Sequence, residues 1–160
     1  GATGDTYGLG QEDVGTAISV RVSFVDGAGT PETVTSSATA DIANVNDPVE
    51  GAPVITGDAT QGETLSVDTS GLSDPDGLGP LSYQWLRDGA DITGATGDTY
   101  GLGQEDVGTA ISVRVSFVDG AGTPETVTSS ATADIANVND PVEGAPVITG
   151  DATQGETLSV

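Results

Sequence analysis

The hydrophobic and polar residues of this chain alternate with a period of two in its most regular segment, residues 110–119. Ile111, Val113, Val115 and Phe117 are separated there by small polar residues and one arginine. A period of two places these four side chains on one face of a β-strand, and over this length it excludes a helix. The segment therefore predicts a long strand with one buried face.

Shorter segments of the same kind alternate with turn signals before and after this strand. We predict further strands at 53–56, 64–68, 82–87, around Tyr100 and Leu102, and at 125–135. The strongest break is the turn Asp-Pro-Asp-Gly-Leu-Gly-Pro at 74–80, because Asp, Pro and Gly each favour turns. Since no segment shows an apolar stripe of helical period, the spacing of strands and turns predicts an all-β fold.

The chain also repeats itself. Residues 1–67 recur without a substitution as residues 94–160, which gives a period of 93 residues. A period of this length corresponds to one small domain. The polar, proline-containing segment Asn-Val-Asn-Asp-Pro-Val-Glu-Gly at 44–51 recurs at 137–144 and predicts a junction between units.

These junctions divide the chain into three parts. The parts are the preceding segment (1–50, the C-terminal part of a unit), the central unit (51–143, one complete repeat) and the following segment (144–160, the start of the next unit). The two end segments together lack the counterpart of residues 68–93, so they do not add up to a complete unit. We expect either a longer parent polypeptide or incomplete ends.

Composition narrows the range of partners. The chain has 25 acidic and three basic residues, a formal net charge of −22, and it has no Lys, His or Cys. Nucleic acids and anionic membrane surfaces are poor partners for such a field, whereas cations are good ones. A small domain without disulfides needs another source of stability, for which a metal ion is the obvious candidate. Arg87 and Arg114 are expected on exposed faces, paired with acids.

Three stretches of the central unit resemble an immunoglobulin-type sandwich: Tyr-Gln-Trp-Leu-Arg-Asp-Gly at 83–89, Asp-Val-Gly at 106–108 and the alternating strand at 111–117. The unit as a whole is similar to the tandem Ig-like repeats of large bacterial RTX adhesins and related biofilm surface proteins, with Asp-Pro-Asp-Gly at 74–77 and Asn-Val-Asn-Asp at 137–140 as further matches. The resemblance implies tandem Ig-like (Greek-key) β-sandwich domains, with Trp85 in the core. It also implies an extracellular location on the bacterial cell surface.

An Ig-type strand order brings three acidic or amide-bearing segments to one domain boundary, in an arrangement that resembles the calcium-binding junctions of cadherins. The predicted ligands are the carboxylates of Asp47, Asp74, Asp76 and Asp119, carbonyl oxygens of Asn44 and Asn46, and Glu12 or Asp13 from the preceding segment. Calcium takes roughly 6–8 oxygen ligands in irregular geometry, so this set suits it. The alternative is that Asp-Pro-Asp-Gly serves only as a turn.

The residue types present argue against an enzyme, since no nucleophile has a recognisable activating base. We expect instead a spacer whose neighbouring repeats are locked end to end by calcium, so that a distal adhesive domain is held away from the cell. One alternative is a repeated module that binds a glycan or a host protein and gives multivalent adhesion. Another is self-association through the Thr/Ser-rich last strand.

Overall fold

A computed structural model describes residues 2–160, and its regular secondary structure consists almost entirely of antiparallel β-strands. The strands are β1 (Arg21–Val25), β2 (Pro31–Thr35), β3 (Val54–Thr56), β4 (Thr64–Asp68), β5 (Ser82–Arg87), β6 (Ala90–Asp91), β7 (Thr99–Gly101), β8 (Ile111–Val118) and β9 (Pro124–Thr128). Short 3-10 helices span Gln11–Asp13 and Gln104–Asp106. The predicted all-β class is confirmed.

The central unit consists of two antiparallel sheets. One has three strands in the order β3-β4-β7, and the other has four in the order β6-β5-β8-β9. In the larger sheet Trp85 of β5 lies opposite Val113 of β8, and in the smaller one Leu65 of β4 lies opposite Tyr100 of β7. Two sheets with a shared core are consistent with a β-sandwich.

The core lies between these sheets. It is formed by Leu65, Trp85, Leu102, Ile111, Val113 and Ile135, which come from both sheets and from the loops beside them. The indole N–H of Trp85 donates to the carbonyl of Gly97 (2.9 Å), and its ring stacks on Tyr100 with the ring centroids 5.7 Å apart. The alternation predicted for β8 is confirmed, because its four large apolar side chains are buried and the residues between them are partly exposed.

The last strand is shorter than predicted. β9 ends at Thr128 because hydroxyl oxygens beyond it replace backbone carbonyls as acceptors. Ser129 Oγ accepts the N–H of Val113 (3.0 Å), and Thr132 Oγ1 accepts the N–H of Ile111 (3.0 Å). The chain then leaves the sheet, and Ile135 forms a parallel bridge with Val107. The two-residue strand β6 was not predicted either.

The preceding segment contributes a separate hairpin of β1 and β2, and it is joined to the central unit through an antiparallel bridge between Glu50 and Ser73. The following segment contains one bridge, between Thr149 and Ser159. Among residues 2–160, no helix has the length and apolar character needed to cross a membrane.

Candidate metal centre

Two loops of the central unit meet at the end that faces the preceding segment. The first is the turn that begins at Asp74, and the second begins at Asp119, directly after β8. The N–H of Gly120 donates to the carbonyl oxygen of Asp76 (3.1 Å), which ties the loops together. A Cβ atom on Gly120 would collide with that oxygen, so the close approach depends on a glycine here.

The meeting of these loops gathers three carboxylates, which we call the junction cluster: Asp74, Asp76 and Asp119. One oxygen from each lies within 4.8 Å of the others. Asp119 is only 5% exposed, and the other two are partly buried. Three negative charges at this spacing repel one another, so the cluster is costly unless something neutralises it.

Two members of the cluster use only one of their oxygens within the protein. Asp74 Oδ1 accepts the N–H of Asp76 (2.8 Å), and Asp119 Oδ1 accepts the N–H of Thr123 (2.7 Å). Each of these bonds fixes a turn. The second oxygen, Oδ2, of both Asp74 and Asp119 is buried without a hydrogen-bond partner among the described residues.

The linker from the preceding segment passes beside the cluster and adds a third buried oxygen without a hydrogen-bond partner. Asn44 Oδ1 is likewise buried and has no partner within residues 2–160. The backbone N–H of Asp47 donates to Asp76 Oδ2 (2.9 Å), and Asn46 Nδ2 donates to Glu125 Oε1 on β9 (2.9 Å). The linker is therefore held at two points while the oxygen of Asn44 stays free.

Hydrogen bonding keeps Asp76 ionised. The backbone N–H of Asp47 is the main cause that holds the pKa of Asp76 below its ordinary value, with smaller contributions from the side chains of Asn44 and Gln11 and an opposing one from burial. Two of the three arginines are engaged elsewhere, Arg87 with Asp106 and Arg114 with Asp91. The groups that donate hydrogen bonds to the cluster are backbone N–H groups and side-chain amides, which are neutral.

The predicted ligands fall into three groups. Asp74, Asp76 and Asp119 form the cluster, and Asn44, whose side chain helps to hold the pKa of Asp76 below its ordinary value, adds a buried oxygen without a partner. Asp47 takes part through its backbone N–H, and the amide of Asn46 is bound to Glu125.

The other two predicted ligands, Glu12 and Asp13, belong to the Gln-Glu-Asp turn and are not members of the cluster. Glu12 is exposed, and buried Asp13 accepts hydrogen bonds from the hydroxyl of Tyr7 (3.0 Å) and the N–H of Gly10 (2.9 Å).

Sequence reasoning missed Gln11. Its side-chain Nε2 donates to Asp76 Oδ1 at 2.8 Å, so this neutral neighbour of Glu12 and Asp13 is the side chain that reaches the cluster. The two residues are 65 positions apart, and no local pattern marks the glutamine.

Arg87 is paired with an acid, as predicted, but its side chain is only 28% exposed. Its Nε donates to Oδ1 of the fully buried Asp106 (2.8 Å), which also accepts the hydroxyl of Tyr100 (3.1 Å) and the N–H of Gly103 (2.8 Å). Burial, followed by the hydrogen bond to Asp106, raises the pKa of Tyr100. This network braces the 3-10 helix inside the central unit and has no part in the cluster.

The donor set of the cluster suits a hard cation. Calcium–oxygen distances are about 2.3–2.6 Å, so two ligands of one ion lie up to about 5 Å apart. The spacing of the three carboxylates falls within this limit. Asn44 Oδ1, Asp74 Oδ2 and Asp119 Oδ2 are buried oxygens without a hydrogen-bond partner in the described chain, so they are available as ligands.

Comparisons with protein-family models, with curated proteins and with solved structures found no match to this chain. The chemistry of the candidate site follows from its own residues. Its members come from the linker and from two loops of the central unit, so the arrangement depends on how the preceding segment meets that unit.

Proposed function

We propose that this chain is a structural spacer of a bacterial cell-surface adhesin, in which Ig-like (Greek-key) sandwiches follow one another in tandem and calcium at each linker makes the string rigid. A distal adhesive domain would thereby be projected from the cell. The neighbours of each repeat in this proposal are copies of itself.

One observation carries the proposal. Asn44, Asp74 and Asp119 each bury an oxygen without a hydrogen-bond partner at the boundary between two units. A buried polar atom left unpaired costs about 1–3 kcal/mol, and more when it is charged. In this proposal a divalent cation at the junction cluster is the missing partner of these oxygens, and because the linker supplies one of them, binding would fix the angle between the units.

Charge supports the same mechanism. The central unit carries 15 acidic residues and two arginines, a net charge of −13, so adjacent units repel one another. Calcium at the boundary reduces that repulsion where the units are closest. A strand as long as β8 spans about 27 Å at 3.4 Å per residue, so each repeat adds a rigid length of that order.

The test is calcium titration by calorimetry, combined with small-angle X-ray scattering before and after chelation. Asp119→Asn removes a carboxylate from the cluster, and Asp26→Asn is its matched control. Asp26 occupies the same place in the repeated sequence and caps its loop through the N–H groups of Ala28 (2.9 Å) and Thr30 (2.8 Å).

We expect the wild type and Asp26→Asn to bind calcium and to become more extended with it. Asp119→Asn should bind at least about tenfold more weakly, because affinity depends on ligand charge. Thermal unfolding in chelator checks that both variants fold. A wild type that binds no calcium at millimolar concentrations, or an Asp119→Asn variant that binds as the wild type does, would overturn the proposal.

A further inference from the structure

The side chain of Gln11 is a contact between the preceding segment and the junction cluster. Its Nε2 lies 2.8 Å from Asp76 Oδ1, while the other oxygen of Asp76 accepts the backbone N–H of Asp47. Both oxygens of this carboxylate are therefore held by donors that precede the central unit. Each carboxylate oxygen has a second lone pair, so this bonding does not prevent Asp76 from binding an ion.

Gln11 is presented by a braced turn. It begins the 3-10 helix Gln11–Asp13, whose last residue is buried and accepts hydrogen bonds from Tyr7 and Gly10. These bonds fix the helix, so the base of the glutamine side chain moves with the body of the preceding segment. The position of Asp76 is thereby coupled to the position of that segment.

In the second copy of this turn, the equivalent glutamine uses its amide oxygen instead of its amide nitrogen. Gln104 begins the identical helix Gln104–Asp106, and its Oε1 accepts the side-chain Nε2 of Gln61 (2.9 Å). The two contacts use different atoms of the glutamine amide, the oxygen toward its own unit and the nitrogen toward the unit that follows. This division favours Gln11 as a hydrogen-bond donor to the cluster over Gln11 as a metal ligand.

We propose that Gln11 is a positioning residue of the junction metal site, which orients the Asp76 carboxylate through its Nε2–H and so makes ion affinity depend on the placement of the preceding segment. The inference rests on the proposed calcium function. Partners that orient metal ligands are typically worth about 10–100-fold in affinity. Since the contact is exposed, we expect an effect at the lower end of that range, about tenfold.

The test is Gln11→Met, which keeps the length of the side chain and removes its N–H donors. Gln104→Met is the matched control, with the same change in the same turn but away from Asp76. Terbium luminescence serves as the probe, because titration gives the affinity and lifetimes in H₂O and D₂O give the number of coordinated waters. We expect Gln11→Met to bind terbium about tenfold more weakly with an unchanged water count, and Gln104→Met to match the wild type.

Two results of the terbium titration would overturn the inference while leaving the calcium function intact. Unchanged affinity in Gln11→Met would show that the contact does not position Asp76, and one additional coordinated water would show that Gln11 is itself a ligand.

A metal-free readout separates this inference from the proposed function. In NMR spectra without metal, Asp76→Asn should shift the side-chain amide signals of Gln11 and leave those of Gln104 in place. If both sets of signals are unmoved, the hydrogen bond is absent in solution and the inference is overturned.

Discussion

The β1–β2 hairpin and the β8–β9 hairpin have the same sequence in two different surroundings. Their registers match, since Phe24 lies opposite Glu32 and Phe117 lies opposite Glu125. Their burial does not, because Phe24 is 52% exposed and Phe117 only 5%. The sequence within the hairpin sets the pairing, and the strands outside it set the burial.

The missing partner of the first hairpin is a counterpart of β5. In the central unit β5 pairs with β8 along its whole length, and residues from the other sheet cover the apolar face. Within residues 2–160, β1 pairs with β2 alone. Val22 is accordingly 51% exposed, whereas Val115, at the same place in the repeat, is fully buried. Substitutions at paired positions therefore separate local from long-range contributions.

The largest expected difference is at the paired phenylalanines. Phe117→Ala should destabilise the central unit by about 3–5 kcal/mol, the usual cost of removing a buried aromatic side chain. Phe24→Ala should change its stability by less than about 1 kcal/mol, because surface substitutions cost little. Denaturant unfolding followed by fluorescence measures both, since Trp85 is the chain's single tryptophan and lies in the core. Equal losses would mean that the two hairpins are equally buried in solution.

A smaller difference is expected at the paired aspartates Asp106 and Asp13. Asp106→Asn weakens a buried network that includes Arg87, and we expect a loss of about 2–3 kcal/mol, because hydrogen bonds to charged groups are the stronger ones. Asp13→Asn removes the charge from the corresponding contacts with Tyr7 and Gly10, in a part of the chain where no arginine joins them among the described residues. Its effect on the unfolding of the central unit should be under about 1 kcal/mol, because the bonds it weakens lie within the preceding segment. Comparable losses in the two variants would show that Arg87 adds nothing.

The smallest expected effect is a pH dependence in alkali. The pKa of Tyr100 is raised in the folded protein, mainly by burial, so folding favours its protonated form. The stability this contributes is complete below the ordinary tyrosine pKa near 10, and it is lost as the pH rises through the higher folded value. Tyr100→Phe should remove this component of the pH dependence and cost about 1 kcal/mol at neutral pH through the lost hydrogen bond. An unaltered alkaline slope in Tyr100→Phe would contradict the assignment.

The bounds of a strand were predictable where alternation of apolar and polar residues, or a turn beside the strand, was clear in the sequence. β4 and β5 occupy the predicted ranges, and β8 differs by one residue at each end, because alternation or a bounding turn marks them. The end of β9 was not predictable, since it depends on Ser129 and Thr132 placing hydroxyl oxygens where the ladder needs acceptors. Such a contact is a property of two neighbouring strands, and single-strand periodicity does not contain it.

The candidate site shows the same limit. The residue types of Asp74, Asp76 and Asp119 predict them as candidate ligands, and the structure brings their carboxylates together. In the Gln-Glu-Asp turn the carboxylates of Glu12 and Asp13 are the predicted ligands, whereas the side chain seen to contact the cluster is the amide of Gln11. The geometry of the 3-10 helix buries Asp13 and directs Gln11 toward the cluster. The sequence of the turn alone does not predict that geometry.

The letter-for-letter repeat also gives β5 two equivalent strands to pair with while the chain folds. Residues 88–110 connect β5 to β8, and the longer stretch 26–81 separates it from β1. Loop-closure entropy favours the shorter connection by only about 0.8 kcal/mol, so contact formation alone discriminates weakly between them. The sheet β3-β4-β7 shares its core with Ile111 and Val113 of β8, so its docking favours the pairing of β5 with β8. Mispaired intermediates of this kind are a known hazard of repeated domains, and the folding rate of this chain should depend on how fast that second sheet docks.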